Sequence, residues 1–198
     1  MNWETLLCFG DSITFGARSY LAYPEICGDI LMRKLEKKWN VINHAVNGYT
    51  VIDLLRSLNP VLEQYRNSFP GLITVMIGTN DIKQKVDVHD FEIAYQQLIV
   101  KLRLMAVGNH IMLLKIPRFA GKVFYPYNFG MNEQIGIFNQ CIERMANENG
   151  LRFFEFHLED DDFFDGVHLS PKGCQTAAVQ LADVVLRDKG IEGSAALS

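Results

Sequence analysis

Apolar residues gather in five short runs, Thr5–Phe9, Val41–Val46, Leu72–Ile77, His110–Ile116 and Leu151–Phe156. Each has the length of a strand and is rich in β-branched or aromatic side chains. Nearly continuous apolar runs of this length suit strands buried on both faces, as in a parallel sheet. The segments between them follow another period. In Ala22–Lys38, Val51–Tyr65, Val88–Val107 and Met131–Asn149 apolar residues recur at helical spacing, as at Leu98, Leu102 and Met105. Pro171–Asp188 forms a last helix, with Ser170 placed to cap it and Pro171 at its first position. Strand and helix thus alternate along the chain. That alternation predicts an α/β fold: a doubly wound, five-stranded parallel sheet in three αβα layers, joined by right-handed crossovers.

One connection is longer than the rest. Arg118–Gly130, RFAGKVFYPYNFG, follows the fourth strand and holds Phe119, Phe124, Tyr125, Tyr127 and Phe129. Loops of this length are uncommon and often functional. Two roles stay open for it: a loop packed by its own aromatics, or the wall of a substrate pocket or partner surface. Phe124, Tyr125 and Tyr127 are the candidate substrate-binding residues.

Composition narrows the picture without choosing a function. The 198 residues are 48% hydrophobic and 21% charged, as expected for one globular domain spanning 1–198. A net charge of -4 argues against non-specific nucleic-acid binding, which needs a basic surface. Cys8, Cys27, Cys141 and Cys174 are widely spaced and form no CxxC pair, so reduced, packed thiols are expected rather than a disulfide framework or metal set. No basic-then-apolar leader opens the chain, and no window approaches the roughly 18 apolar residues of a membrane-spanning helix. A cytoplasmic protein is expected, and the aromatic loop leaves room for a homodimer.

The chemistry lies at the strand ends. After the first strand comes Gly10-Asp11-Ser12, after the second Asn47-Gly48-Tyr49-Thr50, after the third Gly78-Thr79-Asn80-Asp81, and beyond the fifth Asp165-Gly166-Val167-His168. In a parallel sheet these ends share one edge, where α/β proteins hold their ligands. A serine, an Asp/His pair three residues apart, a glycine amide and an asparagine amide together form the inventory for acyl transfer. Taken alone, Ser12 reads better as a helix cap than as a nucleophile, and it is the other three blocks that favour the nucleophile. Of the other histidines, His44 and His110 lie in or beside strands and His89 opens a helix. His157 ends the last strand but has no carboxylate at a useful offset. Asp11 and Asp81 are expected to satisfy backbone N–H groups in their turns. The acidic run Glu159–Asp162 lacks EF-hand spacing and is expected to be a solvated loop, and the Gly10–Gly16 loop lacks the lysine of a phosphate-binding loop.

These four blocks, in this order, resemble the SGNH hydrolases, or GDSL family of esterases and lipases, over about residues 5 to 187. The resemblance implies a flavodoxin-like fold and a serine esterase acting through an acyl-enzyme. It implies Ser12 as nucleophile, His168 as base and Asp165 as the carboxylate orienting it. The Ser12 amide, the Gly48 amide and the Asn80 side chain would form the oxyanion hole, with no metal and no cofactor. Ala45 stands where many members have a first glycine. The implied substrate is a small-molecule ester: short-chain acyl, acetyl-sugar or lysophospholipid. Two alternatives remain, an acyl-thioesterase with the same site and a flavodoxin-like ligand-binding module.

Overall fold

The computed structural model describes residues 3–65, 68–106 and 110–191. Five strands, β1 (Trp3–Gly10), β2 (Lys38–Asn43), β3 (Leu72–Met76), β4 (Ile111–Leu114) and β5 (Arg152–Phe154), form one sheet in the order β2-β1-β3-β4-β5. Every pairing is parallel, as the sequence predicts. All residues of β3 and β4 are buried, as are Leu6–Gly10 of β1, which accounts for their unbroken apolar character. The long helices are α2 (Tyr23–Leu35), α3 (Val51–Tyr65), α5 (Val88–Leu102), α6 (Met131–Glu148) and α7 (Pro171–Asp188); two short ones, α1 (Ser12–Phe15) and α4 (Thr79–Lys83), follow β1 and β3. Helix α2 packs on α7, and α5 packs on both α3 and α6, giving the two outer layers. Ser170 caps α7 by accepting from the Gly173 N–H, as expected.

The differences from expectation are instructive. β2 begins at Lys38, not Val41, and α2 stops at Leu35, where Glu36 turns into the left-handed region at φ 49°. An edge strand needs only one buried face. Here Trp39 is buried between exposed Lys38 and Asn40, so an apolar run marks its position poorly. Helix α5 ends at Leu102, and the predicted end at Val107 lies outside the described residues. The acidic run is solvated at Glu159, Asp160 and Asp161, as expected, but not at its end. Asp162 is buried, accepting from the Glu159 N–H and the Thr176 hydroxyl, while Asp160 accepts from the Gly121 N–H and Asp161 pairs with Lys172.

The strand order places a topological switch between β1 and β3. The chain leaves β1 in one direction to reach β2 and must cross back to reach β3. A crevice opens at such a point outside the carboxyl ends of the strands. Ser12 follows β1 and Asn80 follows β3, so the two flank it.

Candidate active site

Gly10 ends β1 because nothing larger fits. A Cβ there would stand 2.6 Å from the Met76 carbonyl oxygen and 2.4 Å from Thr14 Oγ1. The chain then turns into α1, and the cap is Asp11 rather than Ser12: Asp11 Oδ1 accepts from the Ile13 N–H at 3.0 Å. Ser12 is the first helical residue, and its hydroxyl is free for chemistry. It meets His168 Nε2 at 2.9 Å.

His168 is held from its other side. Its Nδ1 lies 2.8 Å from Asp165 Oδ2, while Asp165 Oδ1 accepts from the Val167 and His168 N–H groups at 3.1 and 2.8 Å. A carboxylate can only accept, so Nδ1 carries the proton and Nε2 is left to accept from the Ser12 hydroxyl. Burial works against the charge of Asp165, but the bonds from His168 and Val167 outweigh it and hold the carboxyl below its usual value. Arg18 Nε stands 3.7 Å from the same Oδ2.

Three strand ends are fastened together by side chains. Asn43 Nδ2 donates to the Thr14 carbonyl at 2.9 Å and its Oδ1 accepts from the Ala45 N–H, which ties α1 to the loop after β2. Asn80 Nδ2 donates to the Tyr49 carbonyl at 3.0 Å, leaving its second N–H available. Both oxygens of Asp81 accept from the Val51 N–H, at 3.2 and 3.1 Å, which ties α4 to the start of α3. Gly48 sits in the Val46–Tyr49 turn at φ 82°. A Cβ on it would meet none of the protein's own atoms within 4 Å, so among the described residues it is the left-handed backbone that calls for glycine here.

The backbone roles expected for Asp11 and Asp81 are present, with a consequence for stability. Burial pushes their carboxyls up, to about 6 and about 7. A folded chain that keeps the Asp81 proton gains stability at low pH and loses it as the pH rises from 3.8 to about 7, where the unfolded chain has already released that proton. Asp81→Asn keeps an oxygen for the Val51 N–H and removes the buried charge. Its melting temperature at pH 8 is expected to exceed that of the unsubstituted protein, by the equivalent of a few kcal/mol at most, and the gap to close toward pH 4. Lower stability of Asp81→Asn at pH 8 would contradict the assignment.

The other histidines are occupied elsewhere. His44 stacks on Phe9 at 5.7 Å, His110 Nδ1 bonds the Gly71 carbonyl at 2.8 Å, and His89 and His157 are exposed. The aromatic loop divides. Its base is fixed by two asparagines of α6: Asn139 bonds both the N–H and the carbonyl of Ile116, and Asn132 does the same for Phe119. The Ala120 N–H then donates to the Gly166 carbonyl, within the turn from Asp165 to His168. Tyr127 is half-buried. It packs edge-on against Phe119 at 5.2 Å between ring centroids, and burial together with the charges of Asp11 and Asp165 pushes its phenol up to about 12. Phe124 and Tyr125 point to solvent at 68% and 96% exposure. No sequence signal was read for Asn132 and Asn139, although their seven-residue spacing sets both on one face of α6.

The chain resembles known proteins of one family. Residues 8–176 match the model of the GDSL-like lipase/acylhydrolase family. An isoamyl acetate-hydrolyzing esterase of Saccharomyces cerevisiae is 24% identical over 93% of this chain and 87% of its own, and a human homologue of that esterase is 24% identical over 86% and 77%. Among solved structures, an acetylxylan esterase of Geobacillus stearothermophilus superposes with a TM-score of 0.74, at 23% identity over 98% of this chain and 97% of that one. Among the described residues no helix is long and apolar enough to cross a membrane. With 169 of its 198 residues inside the family model and the family's four blocks converging on one crevice, the chain belongs to the GDSL-like lipase/acylhydrolase family and is a hydrolase of ester bonds.

Proposed function

We propose that the chain is a serine esterase that hydrolyses small acyl esters, acetate esters foremost, through an acyl-enzyme on Ser12. The observation that carries this is the unbroken chain from Asp165 through His168 to Ser12, at 2.8 and 2.9 Å. Ser12 Oγ attacks the ester carbonyl carbon while His168 Nε2 takes the hydroxyl proton. The carbonyl oxygen becomes an oxyanion facing the Ser12 and Gly48 amides and the spare N–H of Asn80. Collapse breaks the carbon–oxygen bond to the leaving group, and His168 returns the proton to that oxygen as the alcohol departs. Water repeats the sequence on the acyl-enzyme and releases the carboxylic acid. Asp165 holds the ring tautomer throughout and stabilises the transient imidazolium.

The acyl preference rests on what the named relatives share. Isoamyl acetate and acetylxylan have an acetyl group in common and differ in the alcohol. Tyr127, the half-buried tyrosine of the aromatic loop, is the wall we assign to the acyl group. The test is hydrolysis of p-nitrophenyl esters from acetate to palmitate. Acetate is expected to give the highest kcat/KM, with a steady fall beyond butyrate. A maximum at long chains would refute the small-acyl assignment, and hydrolysis of none would refute the esterase itself.

Asn80→Ala separates the oxyanion hole from the triad. Losing one preorganised donor is expected to lower kcat by about 10²- to 10³-fold with little change in KM. Asp81 still ties α4 to α3 in this variant, so the fold should be retained, with a melting temperature lowered only by the loss of the bond to the Tyr49 carbonyl. A fall in KM-dependent binding with kcat intact would assign Asn80 to substrate binding instead.

A further inference from the structure

The opposite edge of the sheet holds a cavity of about 360 Å³ lined by Trp39, His110, Arg152, Asp188 and Lys189. It lies at the amino ends of the strands, away from Ser12. Two of its lining residues carry a buried donor with no acceptor among the described residues, the Trp39 indole Nε1–H and the Arg152 Nε–H. Trp39 is itself 93% buried, being 7% exposed. Buried donors are nearly always paired, so two unpaired ones on residues that line the same cavity call for an acceptor at that place.

The charges around the cavity favour an anionic acceptor. Arg152 spends one terminal nitrogen on Asp188, which leaves Nε. Burial lowers the guanidinium's pKa, a penalty that a neighbouring anion would relieve. Lys189 stands over the Trp39 ring, 5.8 Å from Nζ to the centroid, and supplies a second cation. The nearby carboxylate of Glu4, which approaches Gly71, is already paired with Lys37.

We propose that this cavity binds a small oxyanion, a phosphate or a carboxylate, between the Trp39 indole N–H, the Arg152 Nε–H and the Lys189 ammonium. The indole and guanidinium donate to its oxygens, and Lys189 balances its charge. The site is independent of ester hydrolysis at Ser12 and stands whether or not the esterase assignment does.

Calorimetric titration of the full chain at constant ionic strength tests it, with inorganic phosphate in one arm and acetate in the other. Saturable binding of at least one anion is expected. Trp39→Phe, which keeps the ring and deletes the donor, should weaken it about tenfold, as for loss of a hydrogen bond to a charged group. Lys189→Gln, on the exposed end of α7, should weaken it several-fold and carries the test if Trp39→Phe does not fold. Ser12→Ala should bind as the unsubstituted protein does, which separates this site from an acetate held at the catalytic crevice. Stronger binding of phosphate identifies a phosphoryl ligand, and stronger binding of acetate a carboxylate. Absence of binding in both arms, or binding unaltered in Trp39→Phe and Lys189→Gln, would overturn the proposal.

Discussion

Ser12→Ala is expected to lower kcat on p-nitrophenyl acetate by about 10⁴- to 10⁶-fold while leaving the fold intact, since a triad works as a unit and losing its nucleophile removes nearly all of its contribution. The fold should survive because Ser12 is not the cap of α1. Asp11 performs that role, and its bond to the Ile13 N–H does not involve the Ser12 side chain. What the substitution removes is one hydroxyl and its 2.9 Å contact with His168 Nε2. Thermal unfolding of Ser12→Ala should therefore fall within a few degrees of the unsubstituted protein. Hydrolysis by Ser12→Ala at an undiminished rate would place the nucleophile elsewhere.

Asp165→Asn is expected to cost about 10³- to 10⁴-fold in kcat through the tautomer of His168 and not through its position. The asparagine oxygen can still accept from the Val167 and His168 N–H groups, so the turn is preserved. Its NH2 group cannot accept from Nδ1–H. The ring must then carry its proton on Nε2 and point a donor, not an acceptor, at the Ser12 hydroxyl. Comparison with Asp165→Ala distinguishes the two causes: loss of backbone bonding should lower the melting temperature of the alanine variant, whereas the asparagine variant should lose activity at nearly constant stability. Near-normal kcat in Asp165→Asn would mean that another group orients His168.

Much of this was legible in the chain. Continuous apolar strands mark the buried centre of the sheet, and the turn residues that follow them mark its catalytic edge, because strand direction and alternation dictate both. The ends of the sheet were less legible. β2 is an edge strand whose polar Lys38 and Asn40 face outward, so its start was read three residues late. The backbone role of Asp11 is legible in its turn, but which of Asp11 and Ser12 caps α1 is not, since either side chain can satisfy a first helical turn. The burial of Asp162 and the bridging by Asn132 and Asn139 depend on contacts between segments far apart in the chain, which local pattern does not report. For the aromatic loop, composition could not separate Tyr127, half-buried against Phe119, from Tyr125 at its exposed tip.

The central claim is that Ser12, activated by His168, forms a covalent bond to the acyl carbon. Reaction with a p-nitrophenyl alkylphosphonate, followed by intact-mass and peptide mass spectrometry, tests it most directly, because the phosphorus is attacked by the same oxygen and the adduct persists. One adduct per chain is expected, carried by the peptide containing Ser12, absent in Ser12→Ala and formed far more slowly in His168→Ala. An adduct on another residue, or ester hydrolysis that continues unchanged after the phosphonate has modified Ser12 completely, would contradict it.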